Sequence, residues 1–420
     1  MNADRDPLSP AWRTDPYPCY RELRDHEPVA WSPSTNAWCV SRYDDVMFVL
    51  RNPEIFSSRA MFTFLMNNGS EEPPPLTWPV IKFLARFVLR VRMNPFEFTN
   101  ARNLIAEDGD SHTAMRGIVN RGFTPRRIAA WEEKARALVA EAMAKLERGD
   151  SFDLVEDLAI PLPVTIIAEM LGVETARQRD FKRWSDNMIH AIAGPGRADP
   201  FEKRTVDTLI ELLSYVRGIA ISRRRRPADD LVSLIASEQD GATALSTREV
   251  VQFVMLLLVA GNETTTNLIG NAATALLDHP AELARLARDP ALLPGAVEEA
   301  LRFESPIQVV FRTTTQEIEL AGVRIPKGAY VAPLLGSANR DERRFPDPDR
   351  FDVTRNPQGH VGFGFGKHFC LGASLARLEA RIALEALAPE LLRFERLGPR
   401  EVVDSFLVRG PRRLELRRAA

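Results

Sequence analysis

Helical periodicity runs unbroken by proline from Thr247 to His279, and no other feature narrows the possible folds of this chain as much. The flanks, Val254-Met-Leu-Leu-Leu-Val and Leu268-Ile, are apolar. A helix of that length with apolar flanks belongs inside a large domain rather than on its surface. Its centre, Ala260-Gly-Asn-Glu-Thr-Thr-Thr-Asn267, breaks the pattern. Glycine in a helix costs about 1 kcal/mol relative to alanine, and threonine hydroxyls bond back to preceding carbonyls and open the helix locally. A polar, weakened turn where core residues are called for is a local rule broken, and such breaks cluster at functional sites. The competing reading, a polar surface stripe with a tolerated glycine, fits the apolar flanks poorly.

The rest of the chain is organised around more helix. From Ser111 to about Ile235, segments rich in Ala, Leu, Glu and Arg follow one another at a 3.6-residue period. Ser222-Arg-Arg-Arg-Arg-Pro227 reads as the solvated end of one of them, stopped by proline. Pro290 to Phe303 is helical, as are Tyr17 to Asp25 and Tyr43 to Leu50. Short strands are predicted on both sides of the Ser32-Pro-Ser-Thr-Asn36 turn, through Glu317–Pro333 and in the tail Glu401–Arg417. The stretch from Phe62 to Asn103 carries a loop, Asn67-Asn-Gly-Ser-Glu-Glu-Pro-Pro-Pro75, and an apolar segment, Trp78 to Val91. That segment fits a substrate lid, a membrane-surface contact or a packed extra helix. The expected fold is mainly α, with a smaller discontinuous β part and all 420 residues sharing one domain.

Composition bounds the partners. A net charge of −2 with 45% hydrophobic residues describes an ordinary globular chain and argues against nucleic acid as a ligand. Cys19, Cys39 and Cys370 are too few and scattered for a disulfide framework or a four-cysteine metal site, which suits a reducing, cytoplasmic compartment. The N-terminus lacks the apolar core of a signal peptide, and the longest apolar run, Phe253 to Gly261, is too short to span a bilayer.

Three further stretches carry chemistry. In Phe363-Gly-Phe-Gly-Lys-His-Phe-Cys-Leu-Gly372 the glycines allow close backbone approach, and Cys370 falls at a loop-to-helix junction. A small buried cysteine is the bland reading of such a residue. Glu299 and Arg302 are three apart and share a helical face; His112 and Arg116 are four apart, two cationic donors one turn from each other. Zinc is a poor candidate ligand for His368-Phe-Cys370, because no second cluster completes four ligands.

In this order the four motifs resemble the cytochrome P450 family of haem-thiolate monooxygenases, over nearly the whole chain from about Asp15 onward. The resemblance implies a haem loop at 362–377, an oxygen-binding helix at about 247–279 and a Glu-x-x-Arg helix at about 290–303. It implies haem b with Cys370 as axial thiolate, a donor that favours O–O cleavage. Phe363, Gly364, Gly372 and Ala376 would lie along the porphyrin, with Ala260 and Gly261 on the opposite side. His112, Arg116, Arg312 and His368 would pair the propionates, while Glu263 and Thr264 would serve catalysis as proton relay and hydroxyl. Glu299 and Arg302, with Arg355 from the later Arg344–Arg355 segment, would form a structural ion network. Val259, Ile307, Val309, Val310 and Phe406 would line an apolar substrate pocket. The implied reaction inserts one atom of O2 into a small lipophilic molecule, with electrons from NAD(P)H through a ferredoxin and ferredoxin reductase. An acidic ferredoxin would dock on Arg121, Arg126, Arg127 and Lys367. Two rivals stand beside it: an H2O2-driven peroxygenase of the same fold, and a non-catalytic haem sensor or electron carrier.

Overall fold

The computed structural model describes residues 6–59, 61, 76–148, 152–177, 179–184, 187, 202–237 and 244–419. The loop expected at 67–75 lies outside these residues. The principal helices are α1 (Tyr17–His26), α2 (Tyr43–Arg51), α3 (Trp78–Arg86), α4 (Gly109–Asn120), α5 (Glu132–Glu147), α6 (Pro161–Met170), α7 (Lys203–Arg225), α8 (Thr247–Asp278), α9 (Leu293–Phe303) and α10 (Ala373–Leu391). The periodicity placed α1, α2 and α8 within one residue of their observed ends. Pro290 proves to open a short 3₁₀ turn, Pro290–Leu292, ahead of α9.

α8 is the axis of the helical part. A capping box starts it: Ser246 Oγ accepts from the Glu249 N–H, and the Glu249 carboxylate accepts from the Ser246 N–H. α6, α7, α9 and α10 pack around it, and α10 also packs on α5 and α9. The helix is unbroken through residues 260–264, so the local opening expected there is absent. Gly261 has another task. A Cβ at this position would lie 2.6 Å from Ile167 Cδ1, so the missing side chain lets α6 cross α8 closely.

One five-stranded sheet holds β1 (Val29–Ser32), β2 (Ala37–Val40), β3 (Phe56–Ser57), β4 (Arg312–Thr314) and β5 (Tyr330–Pro333), in the order β1-β2-β5-β4-β3. β1 and β2 pair antiparallel with Trp31 opposite Trp38, and Asn36 takes φ 52° in the turn between them. β2 and β5 run parallel, Ala37 opposite Tyr330. Ile318–Leu320 and Val323–Ile325 form a separate hairpin, turned by Ala321 and Gly322 at φ 47° and 78°. The tail is less regular than expected, with strands only at Glu401–Val402, Pro411–Arg413 and Glu415–Arg418. The five-stranded sheet holds Arg312 within electrostatic reach of Asp108, just ahead of α4, and the loop before α10 carries Cys370.

Candidate active site

The loop ahead of α10 is shaped by its own backbone. The Cys370 N–H donates to the Phe363 carbonyl at 2.9 Å, which closes the turn. Gly364 and Gly366 take φ 68° and 70°, and a Cβ on Gly366 would stand 3.2 Å from the Leu50 carbonyl oxygen. Glycine is the residue that fits both demands. A Cβ on Gly372, by contrast, would meet nothing within 4 Å, so the backbone beside the sulfur faces open space. Burial pushes the Cys370 thiol above its usual range, against N–H groups of Gly372 and Ala373 and the charges of Arg116 and Arg377. Those donors would all favour a thiolate, and binding to a metal cation would secure it. Among the described residues no three His, Cys, Asp or Glu side chains gather to hold a metal directly. An iron at Cys370 would fit best within a group that brings its own ligands.

A second cluster lies above this loop. His112 is 2% exposed, its Nε2 has no hydrogen-bond partner among the described residues, and its ring centroid is 4.3 Å from that of His368. His368 Nε2 sits 3.1 Å from Ser58 Oγ and 3.5 Å from Asp108 Oδ1. Burial alone would raise Asp108, yet hydrogen bonds from His368, Ser57 and Ser58 outweigh it and hold the carboxyl at about 2. His112 is pushed down to about 4 by burial, with His368, Arg116 and Lys367 acting in the same direction. Arg312, buried, donates only to the Phe311 carbonyl among the described residues, and burial lowers it to about 10. A guanidinium has five N–H donors, and burying it with one of them used is costly unless an anion joins it. An orphaned imidazole nitrogen and an underpaired guanidinium, close to the cysteine loop, suit the carboxylates of haem. Arg116 lies within electrostatic reach of both His112 and Cys370. Its Nε donates to Asn120 Oδ1 at 3.1 Å, and the charge it feels is that of Cys370.

α8 presents a different chemistry. Met255, Leu256, Val259, Ala260, Gly261 and Thr264 are incompletely buried in the middle of α8, between covered residues on either side. Thr264 Oγ1 donates to the Ala260 carbonyl at 2.6 Å, whereas Thr265 is turned inward and Thr266 bonds the Ala159 carbonyl. Glu263 is 7% exposed, and burial alone raises it to about 7. The apolar residues expected to line a pocket do not all share one wall. Val309 is fully buried with Phe311 and Leu334, while Val310 and Ile307 pack beside a separate cluster that includes Val331 and Leu335. Val309 and Val310 thus pack into different apolar clusters. Phe406 lies edge-on to Phe311, its centroid 6.2 Å away.

Beneath the loop, Glu299 and Arg302 are wholly enclosed. Arg302 Nε and Nη2 donate to the two Glu299 oxygens at 2.7 and 2.8 Å, and Nη1 reaches the carbonyls of Asn339 and Pro348. Arg355 Nε adds a third bond to Glu299 at 3.1 Å. Sequence reasoning missed Asp108 and Ser58, whose approach to His368 depends on contacts across the fold. It also missed Arg377, which pairs with Glu298 at 2.7 Å while acting on Cys370. A Glu298–Arg377 spacing of 79 residues leaves no local signal.

Residues 201–396 match the family model described as Cytochrome P450. The putative cytochrome P450 YjiB of Bacillus subtilis is 37% identical over 376 residues, covering 89% of this chain and 86% of that protein. The solved structure of cytochrome P450 CYP109Q5 from Chondromyces apiculatus superposes with a TM-score of 0.84 at 37% identity, covering 99% of this chain and 98% of that one. CYP109E1 from Bacillus megaterium, solved in complex with corticosterone, gives 0.81 at 34% identity over 98% and 100%. Together with the cysteine loop and the underpaired cations above it, these likenesses place the chain in the cytochrome P450 family, as a bacterial-type monooxygenase with a cysteine-ligated haem b.

Proposed function

We propose that this monooxygenase hydroxylates or epoxidises a small lipophilic substrate with one atom of O2, drawing electrons from NAD(P)H through a ferredoxin and its reductase. The observation that carries this reading is Glu263, a carboxyl buried without an ion pair among the described residues and raised to about 7. Cys370 would hold the haem from one side, with Phe363, Gly364, Gly372 and Ala376 along it and Ala260 and Gly261 across from it. His112, His368 and Arg312 would take its carboxylates, and Arg116 would support the thiolate. The bound haem supplies the redox chemistry that activates O2.

The protein's own part is to supply protons in a dry site. A carboxyl that titrates near neutrality gives and regains a proton without a large barrier in either direction. Thr264 Oγ1 has committed its hydrogen to Ala260, so its lone pairs remain to accept from a water or from protonated Glu263. A peroxide-driven enzyme would need no such pair, because its oxidant brings its own protons. Of the cations expected to receive ferredoxin, Arg121 is engaged with the carbonyls of Ile118 and Leu234, and Arg127 lies 3.4 Å from Asp229. Arg126 and Lys367 are exposed and take the docking role. The three free cysteines suit a reducing cytoplasm.

The relative solved with corticosterone makes steroids the first class to screen. Purified holoenzyme should bind one such lipophile with a spectral shift. With ferredoxin, reductase, NADPH and labelled O2 it should yield one labelled oxygen per product. Product formed with H2O2 at the full rate, and none with the electron carriers, would assign a peroxygenase instead.

A further inference from the structure

The segment around α3 is apolar in two directions. On its inner side Val80, Phe87 and Val91 are buried, Phe87 and Val91 in the main core, and Arg86 ties it to Asp207 of α7 at 2.6 Å. On its outer side Trp78, Ile81, Ala85, Val88 and Leu89 recur at helical spacing and are exposed, Trp78 by 65% and Leu89 by 73%. With Leu76 and Phe96, which flank the segment in sequence, these large residues make up more than half of the exposed large apolar side chains among the described residues. Single exposed apolar residues need no explanation, but a contiguous set does.

The charges around this stripe decide what it meets. Lys82, Arg90 and Arg92 are exposed within it, and none has a carboxylate partner among the described residues. Lys82 Nζ stands 5.3 Å from the Trp78 ring centroid, at the edge of the apolar face. The only acid between residues 76 and 106, Glu97, is occupied by Arg248. A local excess of cations on a chain of net charge −2 calls for an anionic surface. α3 and the π turn Phe87–Val91 that continues it are about 20 Å long, so the element can lie along a bilayer but not cross it.

We propose that this face rests on an anionic lipid bilayer. The stripe from Trp78 to Leu89 enters the boundary between head groups and acyl chains, while Lys82, Arg90 and Arg92 extend to lipid phosphates. The inner side would then connect that surface to the catalytic helix, through Arg102 to Glu249 and through Asn103 and the Phe98 carbonyl to Gln252. Such an arrangement would let a lipophilic molecule leave the bilayer beside α8 instead of crossing water.

Co-sedimentation of the purified holoenzyme with vesicles tests this. Binding is expected to phosphatidylcholine vesicles containing about one-third phosphatidylglycerol, at least tenfold tighter than to pure phosphatidylcholine, and weaker in high salt. Lys82→Gln, Arg90→Gln and Arg92→Gln together should lower partitioning by about 100-fold, and Leu89→Glu by at least tenfold. Both variants change exposed positions and should keep the reduced CO spectrum of the parent. Absence of binding to the anionic vesicles, or binding that neither variant weakens, overturns the proposal. So does a concentration-dependent dimer that Leu89→Glu abolishes in a protein that ignores vesicles, since a second copy would then own the face.

Discussion

Glu299 on α9 and Glu263 on α8 are both buried glutamates within the same core, and their surroundings could hardly differ more. Glu299 receives Arg302 twice, Arg355 once and the N–H of Asp352, so its carboxylate is fully supplied with donors. Glu263 has no ion pair among the described residues, and burial lifts it to about 7. A charge held by several partners stays fixed and carries structure. A carboxyl left alone changes its protonation near neutral pH, and that is a property chemistry can use. The pairing of a buried acid, rather than its depth, separates the two roles.

Removing Glu299 should have the largest effect. Breaking one partner of a buried ion pair typically costs about 3–5 kcal/mol, and here two guanidinium groups would be stranded. Glu299→Ala is expected to yield apo or unfolded protein, read from haem absorbance per chain and from thermal melting. Full haem loading with an unchanged melting temperature would make the network ordinary decoration.

Glu263→Gln should leave folding, substrate binding and the CO spectrum intact while lowering turnover by about 100-fold, with a larger solvent isotope effect. In the parent, turnover should decline as pH rises through about 7, because the proton donor is then lost; the Gln variant should not show that decline. Thr264→Ala should divert electrons to H2O2, measured as peroxide formed per NADPH. Thr265→Ala, at a residue turned into the core, should not. Loss of coupling at Thr265 instead would mean that the opposite side of α8 faces the site.

A third buried acid gives the most specific test. Glu379 on α10 is 1% exposed, its Oε1 has no partner among the described residues, and burial raises it to about 8. An acid whose folded pKa is raised binds its proton more tightly in the native state. Its contribution to stability is therefore lost as pH climbs from the ordinary glutamate range toward 8. Glu379→Gln should remove that slope, a difference on the order of 3 kcal/mol between pH 5 and 9. Parallel melting curves for the two proteins across this range would show that Glu379 is not buried as a lone acid.

Much of this was legible in the sequence where chemistry follows from local spacing. The central helix, the cysteine loop and the Glu299–Arg302 pair each occupy a short run whose period or glycine content has few explanations. What stayed hidden depends on contacts across the fold. Asp108 opens α4, and an aspartate there reads as a helix cap, yet its side chain serves Ser57, Ser58 and His368 instead. Gly261 reads as a weak point in a helix until Ile167 is seen packed against it. Val309 and Val310 look alike in a list of apolar residues; only the tertiary packing sends them to different clusters. Arg116 lies one turn from His112 and also acts on Cys370, a second role that helical spacing cannot reveal.

All of these readings depend on Cys370 being the residue that holds the haem iron. The most direct measurement is the reduced, CO-bound absorption spectrum of the parent beside that of Cys370→Ser. The parent should show the band characteristic of thiolate ligation. The Ser variant should lose it, while Cys19→Ser and Cys39→Ser, both at buried positions in the second apolar cluster, keep it. A Cys370→Ser protein that retains the thiolate band would contradict the whole account.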